Sequence, residues 1–177
     1  MTAITQRLMR ELRSQFRLDW RGVHGAPHWA RVRHHGLMLA RALGTDARVA
    51  ELFAVLHDSQ RQDEWEDEGH GDRAADYAGW LCQRGYFDLD SAALAALQYA
   101  CRGHSDGQTV ALASVQVCWD ADRLDLGRVG MRPDPRRLCT ATAQRADVIE
   151  RAWFWSIGDS YRSSPAHCLP PRQPQCQ

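Results

Sequence analysis

Apolar side chains recur at helical spacing along most of this chain. Between residues 2 and 18 they repeat every four positions with arginines between them, which predicts an amphipathic helix that covers the core. Similar spacing predicts further helical regions at residues 28–43, 49–56, 70–84, 91–101, 111–126 and 135–154. No run alternates apolar and polar residues convincingly over five or more positions, and no internal repeat is found. The pattern therefore predicts an all-α, single-domain helical bundle.

The residues that flank these regions agree with helix ends. Pro27 suits the first turn of a helix, where its missing N–H would have no partner, and Gly44 is a typical stop. Asp46 and Asp90 are each placed to cap the N-terminus of a helix. The acidic stretch at residues 59–69 is too polar for a core and ends in a glycine, so we expect a loop there.

Length and composition indicate one helical domain at residues 1–161 and a flexible tail at residues 162–177. A chain of 177 residues can bury one proper core but is short for two ordinary domains. The tail is rich in proline and polar residues, which cannot build a core.

Charge, hydropathy and cysteine usage predict a cytoplasmic protein without a membrane or broad nucleic-acid surface. The 22 basic and 22 acidic residues balance, so an anionic substrate must be held by local charges. No stretch approaches the roughly 18 consecutive apolar residues of a membrane span, and the first 15 residues lack the apolar core of a signal peptide. The six cysteines show no C-x-x-C spacing, which favours reduced packing residues over a zinc knuckle or a disulfide framework. Nothing in the pattern indicates an oligomeric state.

Histidines and aspartates stand where several predicted helices begin or end. His57 and Asp58 close an apolar segment that should face the core. His28 falls on the inward stripe of the preceding helix, and Asp122 lies on or near a buried stripe of residues 111–126. A buried carboxylate needs a partner, so we expect these side chains to share one site. Their order along the chain reads H…HD…D.

This arrangement resembles the HD-domain superfamily of metal-dependent phosphohydrolases. The resemblance lies in His28 of His-Trp-Ala-Arg-Val, the His57-Asp58 pair and Asp122 of Ala-Asp-Arg-Leu-Asp, and it covers roughly residues 23–126. It implies that the four side chains bind one divalent transition metal, such as Mn, Fe, Co, Ni or Zn, inside a bundle of helices. The HD-GYP subgroup differs, because no Gly-Tyr-Pro follows the acidic stretch, and this argues against cyclic dinucleotide specificity.

The resemblance implies hydrolysis of a small phosphate ester, such as a nucleotide, by a metal-bound water. Arg61 stands where many members have a lysine that contacts phosphate, so we expect it to clamp the phosphoryl group. The attacking water or the leaving oxygen would be served by Asp58 or by a carboxylate of the acidic loop, although a solvated loop is the commoner role for such residues.

Two further histidines, His70 and His104, stand between the HD pair and the final aspartate. Some members of the family hold two metals by means of such histidines, which implies a second ion with Asp58 as the bridge. The alternatives are that both imidazoles donate to phosphate or cap helices outside the site.

Two other functions stay open at this stage. With two irons, the chain would also resemble the HD proteins that cleave substrates oxidatively with oxygen. The other is a module that binds a metal or nucleotide and turns nothing over, which the intact motif disfavours.

Overall fold

The computed structural model describes residues 2–163, which form seven α-helices and two 3₁₀ turns. The helices are α1 Gln6–Gln15, α2 Ala26–Leu43, α3 Ala47–Leu56, α4 His70–Gln83, α5 Ser91–Gly103, α6 Ala113–Arg123 and α7 Ala146–Ser163. The 3₁₀ turns lie at Leu126–Val129 and Pro135–Arg137. This part of the chain contains no β-strand, so the predicted all-α class is confirmed.

The helix ends follow from local hydrogen bonding. The side chain of Asp46 accepts from the N–H of Arg48, and that of Asp90 accepts from the N–H of Ala93, as the sequence predicts. Each such cap contributes about 1 kcal/mol. α2 ends at Gly44, whose φ of 68° lies in the left-handed region that glycine adopts without strain. The predicted caps and the glycine stop are thus confirmed.

α3 is the central helix of the bundle. Every residue from Val49 to Leu56 is buried, and α3 packs against α2, α5 and α6. Its one acidic side chain, Glu51, is satisfied by the guanidinium of Arg33 and by the N–H of Ala3. Because α3 is enclosed on several sides, the residues that follow it are delivered into the interior of the molecule.

The core has two parts. The larger cluster fills the space between α1, α2, α3, α4, α5 and α6, with Trp29, Phe53 and Trp119 among its largest fully buried side chains. A smaller cluster joins α2 and α6 to residues 138–152. The side chains that the sequence identifies as metal ligands lie inside this packed frame.

The segment that follows α6 differs from the prediction. The predicted helical region at residues 135–154 is a short 3₁₀ turn, an irregular stretch and then α7, which begins at Ala146. The carboxylate of Asp120 holds the irregular stretch, because it accepts hydrogen bonds from the N–H of Cys139 (2.6 Å) and the N–H of Thr140 (2.8 Å). A tertiary hydrogen bond thus overrides local helix propensity.

The ends of the chain leave part of the predicted organisation untested. Of the predicted tail at residues 162–177, the first two residues end α7 and the remainder lies outside the described residues. The division into a domain at residues 1–161 and a tail stays a prediction. Between residues 2 and 163, no helix combines the length and the apolar character needed to cross a membrane.

Candidate metal centre

The structure brings together the four side chains that the resemblance singles out. His28 lies in the first turn of α2, His57 and Asp58 directly follow α3, and Asp122 lies in the last turn of α6. The Nε2 atoms of His28 and His57 are 3.0 Å apart. Oδ2 of Asp58 is 3.5 Å and 3.4 Å from these two nitrogens, and Oδ1 of Asp122 is 3.4 Å from His28 Nε2. All four residues are buried.

A second pair of imidazoles adjoins this group. His70 is the first residue of α4, and His104 follows the last residue of α5. Their Nε2 atoms are 2.9 Å apart, and each lies 3.6 Å from Oδ1 of Asp58. Asp58 therefore presents one oxygen to the first histidine pair and the other oxygen to the second pair. His57, His104 and Asp122 also lie close enough to share an ion, so the six residues form one continuous cluster.

The tautomers of these imidazoles follow from their outer nitrogens. Nδ1 of His57 faces the carbonyl oxygen of Phe53, and Nδ1 of His104 faces that of Cys101. Nδ1 of His70 likewise faces the carbonyl oxygen of Asp67. A carbonyl oxygen only accepts, so each Nδ1 must carry the proton and each neutral ring must present a bare lone pair at Nε2.

The inner nitrogens consequently fit a cation. The Nε2 atoms of His70 and His104 face each other across 2.9 Å, which is repulsive for two neutral rings unless a proton or a metal ion lies between them. In addition, Oδ1 of Asp58 and Oδ1 of Asp122 are buried and have no hydrogen-bond partner within residues 2–158. Buried polar atoms without partners are costly. Two inward-facing imidazole pairs and two unpaired carboxylate oxygens are the donor set that divalent transition metals prefer.

The electrostatics keep both carboxylates ionised. Burial opposes ionisation of Asp58, but the surrounding imidazoles outweigh it and hold its pKa well below the usual range. Burial likewise opposes ionisation of Asp122, but Arg128 and the histidines lower its pKa to about 2. Burial lowers the pKa of His57, and it lowers that of His70 to about 4. At neutral pH the cluster therefore offers anionic oxygens and neutral rings at these positions.

The carboxylate of Asp125 contacts the outer ring nitrogen of His28, and the sequence pattern does not predict this role. Its carboxylate is fully buried and accepts a hydrogen bond from Nδ1 of His28 at 2.7 Å. It also forms a two-point ion pair with Arg31, at 2.6 Å to Nε and 3.0 Å to Nη2. Such a carboxylate fixes the orientation of the ring and raises its basicity as a ligand. The available signal was its spacing of three residues from Asp122, which places both on one face of the chain as α6 ends.

Arg61 lies beside the second histidine pair. Its Nη1 is 3.2 Å from Nε2 of His70 and 3.6 Å from Oδ1 of Asp58, and the residue is 8% exposed. Its Nε and Nη2 donate to the carbonyl oxygens of Asp63 and Trp65 in the acidic loop. The loop therefore positions a buried guanidinium at the edge of the cluster.

The carboxylates of the acidic loop are directed elsewhere. Asp67 pairs with Arg73, and Glu64 lies 2.6 Å from Nδ1 of the buried His24. Glu66 is exposed. Among the residues that the structure describes, none of these three carboxylates joins the groups that can hold an ion.

Arg128 is a second arginine at the cluster, and sequence reasoning missed it. Its Nη2 is 3.6 Å from Oδ1 of Asp122, and its Nε donates to the carbonyl oxygen of Val23 at 3.0 Å. It belongs to the 3₁₀ turn Leu126–Val129, which follows the predicted helical region at residues 111–126. No periodic signal distinguishes such a residue, because its position depends on the path of an irregular segment.

Comparison with known proteins agrees with this geometry at the level of fold. The chain is similar to the crystal structure of a predicted HD superfamily hydrolase from an uncultured Thermotogales bacterium. The TM-score is 0.63, the sequences are 24% identical, and the match covers 89% of each chain. No protein-family model and no curated protein matches the sequence. This chain therefore shares the all-helical fold of that solved structure.

Proposed function

We propose that this protein is a metal-dependent phosphohydrolase that acts on a small phosphate ester. The observation that carries the proposal is the position of Asp58, whose two oxygens face two pairs of inward-pointing imidazoles. The similarity to the solved structure of a predicted HD superfamily hydrolase supports the proposal.

The residues divide into two ligand groups. His28, His57, Asp58 and Asp122 would hold one ion, and His70, His104 and the other oxygen of Asp58 would hold a second. Imidazole and carboxylate ligands together suit Mn, Fe, Co, Ni or Zn. When bound, such ions supply a water of lowered pKa and neutralise charge on the phosphate.

The remaining chemistry comes from the side chains of this chain. Arg61 donates to Nε2 of His70 and also lines the cavity beside Asp58. There its planar fork can bind two oxygens of a phosphate. Asp122, kept ionised by Arg128 and the histidines, and Asp58 are the carboxylates placed to orient the attacking water.

The test is phosphate release from a panel of nucleotides, sugar phosphates and phosphonates by protein loaded with each divalent metal. We expect at least one ester to be hydrolysed, with loss of activity after chelation and in Asp122→Ala. The exposed aspartate variant Asp147→Ala is the matched control and should keep full activity. No release with any metal, or release that survives both chelation and Asp122→Ala, would overturn the proposal.

A di-iron oxygenase is the second candidate, because the bridging position of Asp58 between two histidine pairs also suits two irons. The same metal-loaded samples separate the two functions. Two irons per chain, oxygen consumption and no phosphate release would favour the oxygenase. A protein that binds metal and performs neither reaction would be a binding module.

A further inference from the structure

A cavity of about 520 Å³ opens beside Asp58 and Asp122. Its wall is formed by the end of α5, the end of α6 and the irregular segment from Leu126 to Leu138. This volume lies within the range of about 300 to 1,000 Å³ that is typical of small-molecule sites. The cavity therefore has room for more of a substrate than the phosphate at the metal centre.

Arginines dominate the polar part of this wall. The five that line it are Arg61, Arg123, Arg128, Arg132 and Arg137. Arg61 and Arg128 each lie 3.6 Å from a carboxylate of the metal centre. The other three form no ion pair with Asp58 or Asp122 in the described part of the chain.

Arg123 is a buried cation that lacks a carboxylate partner. It is 8% exposed, and no acidic side chain between residues 2 and 158 forms an ion pair with it. Its Nη1 donates to the carbonyl oxygen of Arg137 at 2.8 Å, whereas its Nη2 is buried and has no hydrogen-bond partner among these residues. A buried charge is normally paired, and a buried donor without an acceptor is costly. An anionic group of a ligand would satisfy both requirements.

Arg137 contacts Arg123 through its carbonyl oxygen, and its side chain belongs to the wall of the same cavity. It is exposed, it lines the cavity, and no ion pair of its guanidinium occurs within the described residues. Its neighbour Arg136 differs, because its guanidinium binds both oxygens of Asp134 and does not line the cavity. Arg132 is already paired with Glu150. Two guanidiniums, Arg123 and Arg137, are thus left for a ligand.

We propose that the substrate carries a second phosphate group, which Arg123 and Arg137 bind while the first phosphate lies at the metal centre. Two guanidinium groups match one phosphate well, because each can donate two parallel hydrogen bonds to its oxygens. Leu126, Met131 and Leu138 also line the cavity, so the body of the molecule between the phosphates contacts apolar side chains. This inference rests on the proposed function and narrows its substrate class.

Binding of bisphosphonates that cannot be hydrolysed tests the proposal. The full-length, Mn²⁺-loaded protein is titrated calorimetrically with ethylene, butylene and hexylene bisphosphonates and with the alkyl monophosphonates of the same lengths. We expect at least one bisphosphonate to bind roughly tenfold more tightly than its monophosphonate counterpart, as one added charge-assisted contact implies. Equal affinity at every length would overturn the proposal.

Charge-matched variants locate the second contact. Arg137→Gln should reduce the advantage of the bisphosphonate, because only Arg123 then contacts the second phosphate, and it should leave the affinity for the monophosphonate unchanged. Arg136→Gln removes the same charge from the adjacent residue and should retain the advantage. Arg137 is exposed, so its replacement should not disturb folding, and circular dichroism checks this. An undiminished advantage in Arg137→Gln, or an equal reduction in Arg136→Gln, would refute the assignment.

This experiment is independent of turnover. A protein that hydrolyses no ester, yet binds a bisphosphonate through Arg137, would overturn the proposed function and leave the second phosphate site standing. A protein that hydrolyses simple phosphate esters and shows no bisphosphonate advantage would overturn the second phosphate site and leave the proposed function standing.

Discussion

Asp125→Asn tests whether the buried carboxylate that contacts Nδ1 of His28 strengthens metal binding. The carboxylate of Asp125 makes three contacts at 2.6 to 3.0 Å, one with His28 and two with Arg31, and it is fully buried. Asparagine has the same shape but one oxygen and no charge. It therefore leaves the buried guanidinium of Arg31 only partly paired, and it cannot draw the Nδ1 proton of His28 as an anion does.

The magnitudes follow from the burial of this network. Removing one partner of a buried ion pair costs about 3 to 5 kcal/mol, and because the amide keeps one acceptor we expect a loss of about 2 to 4 kcal/mol in the free energy of unfolding. Loss of a carboxylate behind a ligating histidine typically weakens metal binding about 10- to 100-fold. We expect that range for the ion held by His28.

The assays are urea unfolding of the metal-free protein and metal titration against a competing chelator, both at neutral pH. Burial opposes ionisation of Asp125, but the hydrogen bonds from His28 and Arg31 outweigh it and lower its pKa. The stability that the carboxylate contributes is therefore present above its unfolded pKa of about 3.9 and is lost as the pH falls through the folded value.

Asp147→Asn is the control, because Asp147 is exposed and pairs with Arg145 and Arg151 at the surface. Because solvent screens such surface pairs, the variant should leave both the stability and the metal affinity essentially unchanged. Wild-type metal affinity in Asp125→Asn would refute the reasoning that Asp125 orients and polarises His28. Wild-type stability would contradict the buried ion pair.

Three further changes test other parts of the account. Arg61→Ala should lower kcat/KM for the phosphate ester roughly 10- to 100-fold, because a charge-assisted contact is lost. The ion held by His28 should be retained, and a metal titration that shows its loss would contradict the role given to Arg61. Burial lowers the pKa of His35 from 6.5 to about 4, so as the pH falls this histidine is protonated in the unfolded chain before it is protonated in the folded protein. The metal-free protein should therefore lose about 3 kcal/mol of stability from this residue between pH 6.5 and pH 4. Unfolding of His35→Leu across this pH range should show a correspondingly smaller loss, and an unchanged slope would refute the role of His35. A Cβ at Gly71 would lie 2.7 Å from the carbonyl oxygen of Cys101, so Gly71→Ala should push α4 from α5, cost about 1 to 3 kcal/mol and weaken the ion held by His70. Gly158→Ala, which meets no atom within 4 Å, should instead be neutral or stabilising by up to about 1 kcal/mol; equal unfolding free energies for the two variants would contradict this.

The features that could be predicted from the sequence are those that depend on local spacing. The apolar period locates the helices, and Asp46, Asp90 and Gly44 mark their ends because capping needs only near neighbours. His57 and Asp58 could be placed inside because α3 is apolar along almost its whole length. The grouping of His28 and Asp122 with them came from the resemblance, since periodicity alone does not bring distant helix ends together.

The features that could not be predicted depend on how irregular segments run. Residues 127–135 are rich in glycine and proline and join two predicted helical regions, the second of which includes Arg137. In the structure this irregular segment instead brings Arg128 to Asp122 and Arg137 to Arg123. The stretch before α7 is irregular because Asp120 binds the backbone of Cys139 and Thr140 from another helix. Such contacts between parts of the chain far apart in sequence leave no periodic trace.

Anomalous scattering from crystals grown with Mn²⁺ tests the central claim most directly. We predict two peaks, one beside His28, His57 and Asp122 and one beside His70 and His104, with Asp58 between them and one oxygen directed to each ion. Metal analysis of the same protein should give two ions per chain. A single peak with the imidazoles of His70 and His104 more than about 5 Å away would contradict the claim, because nitrogen ligands of such ions lie near 2.1 Å.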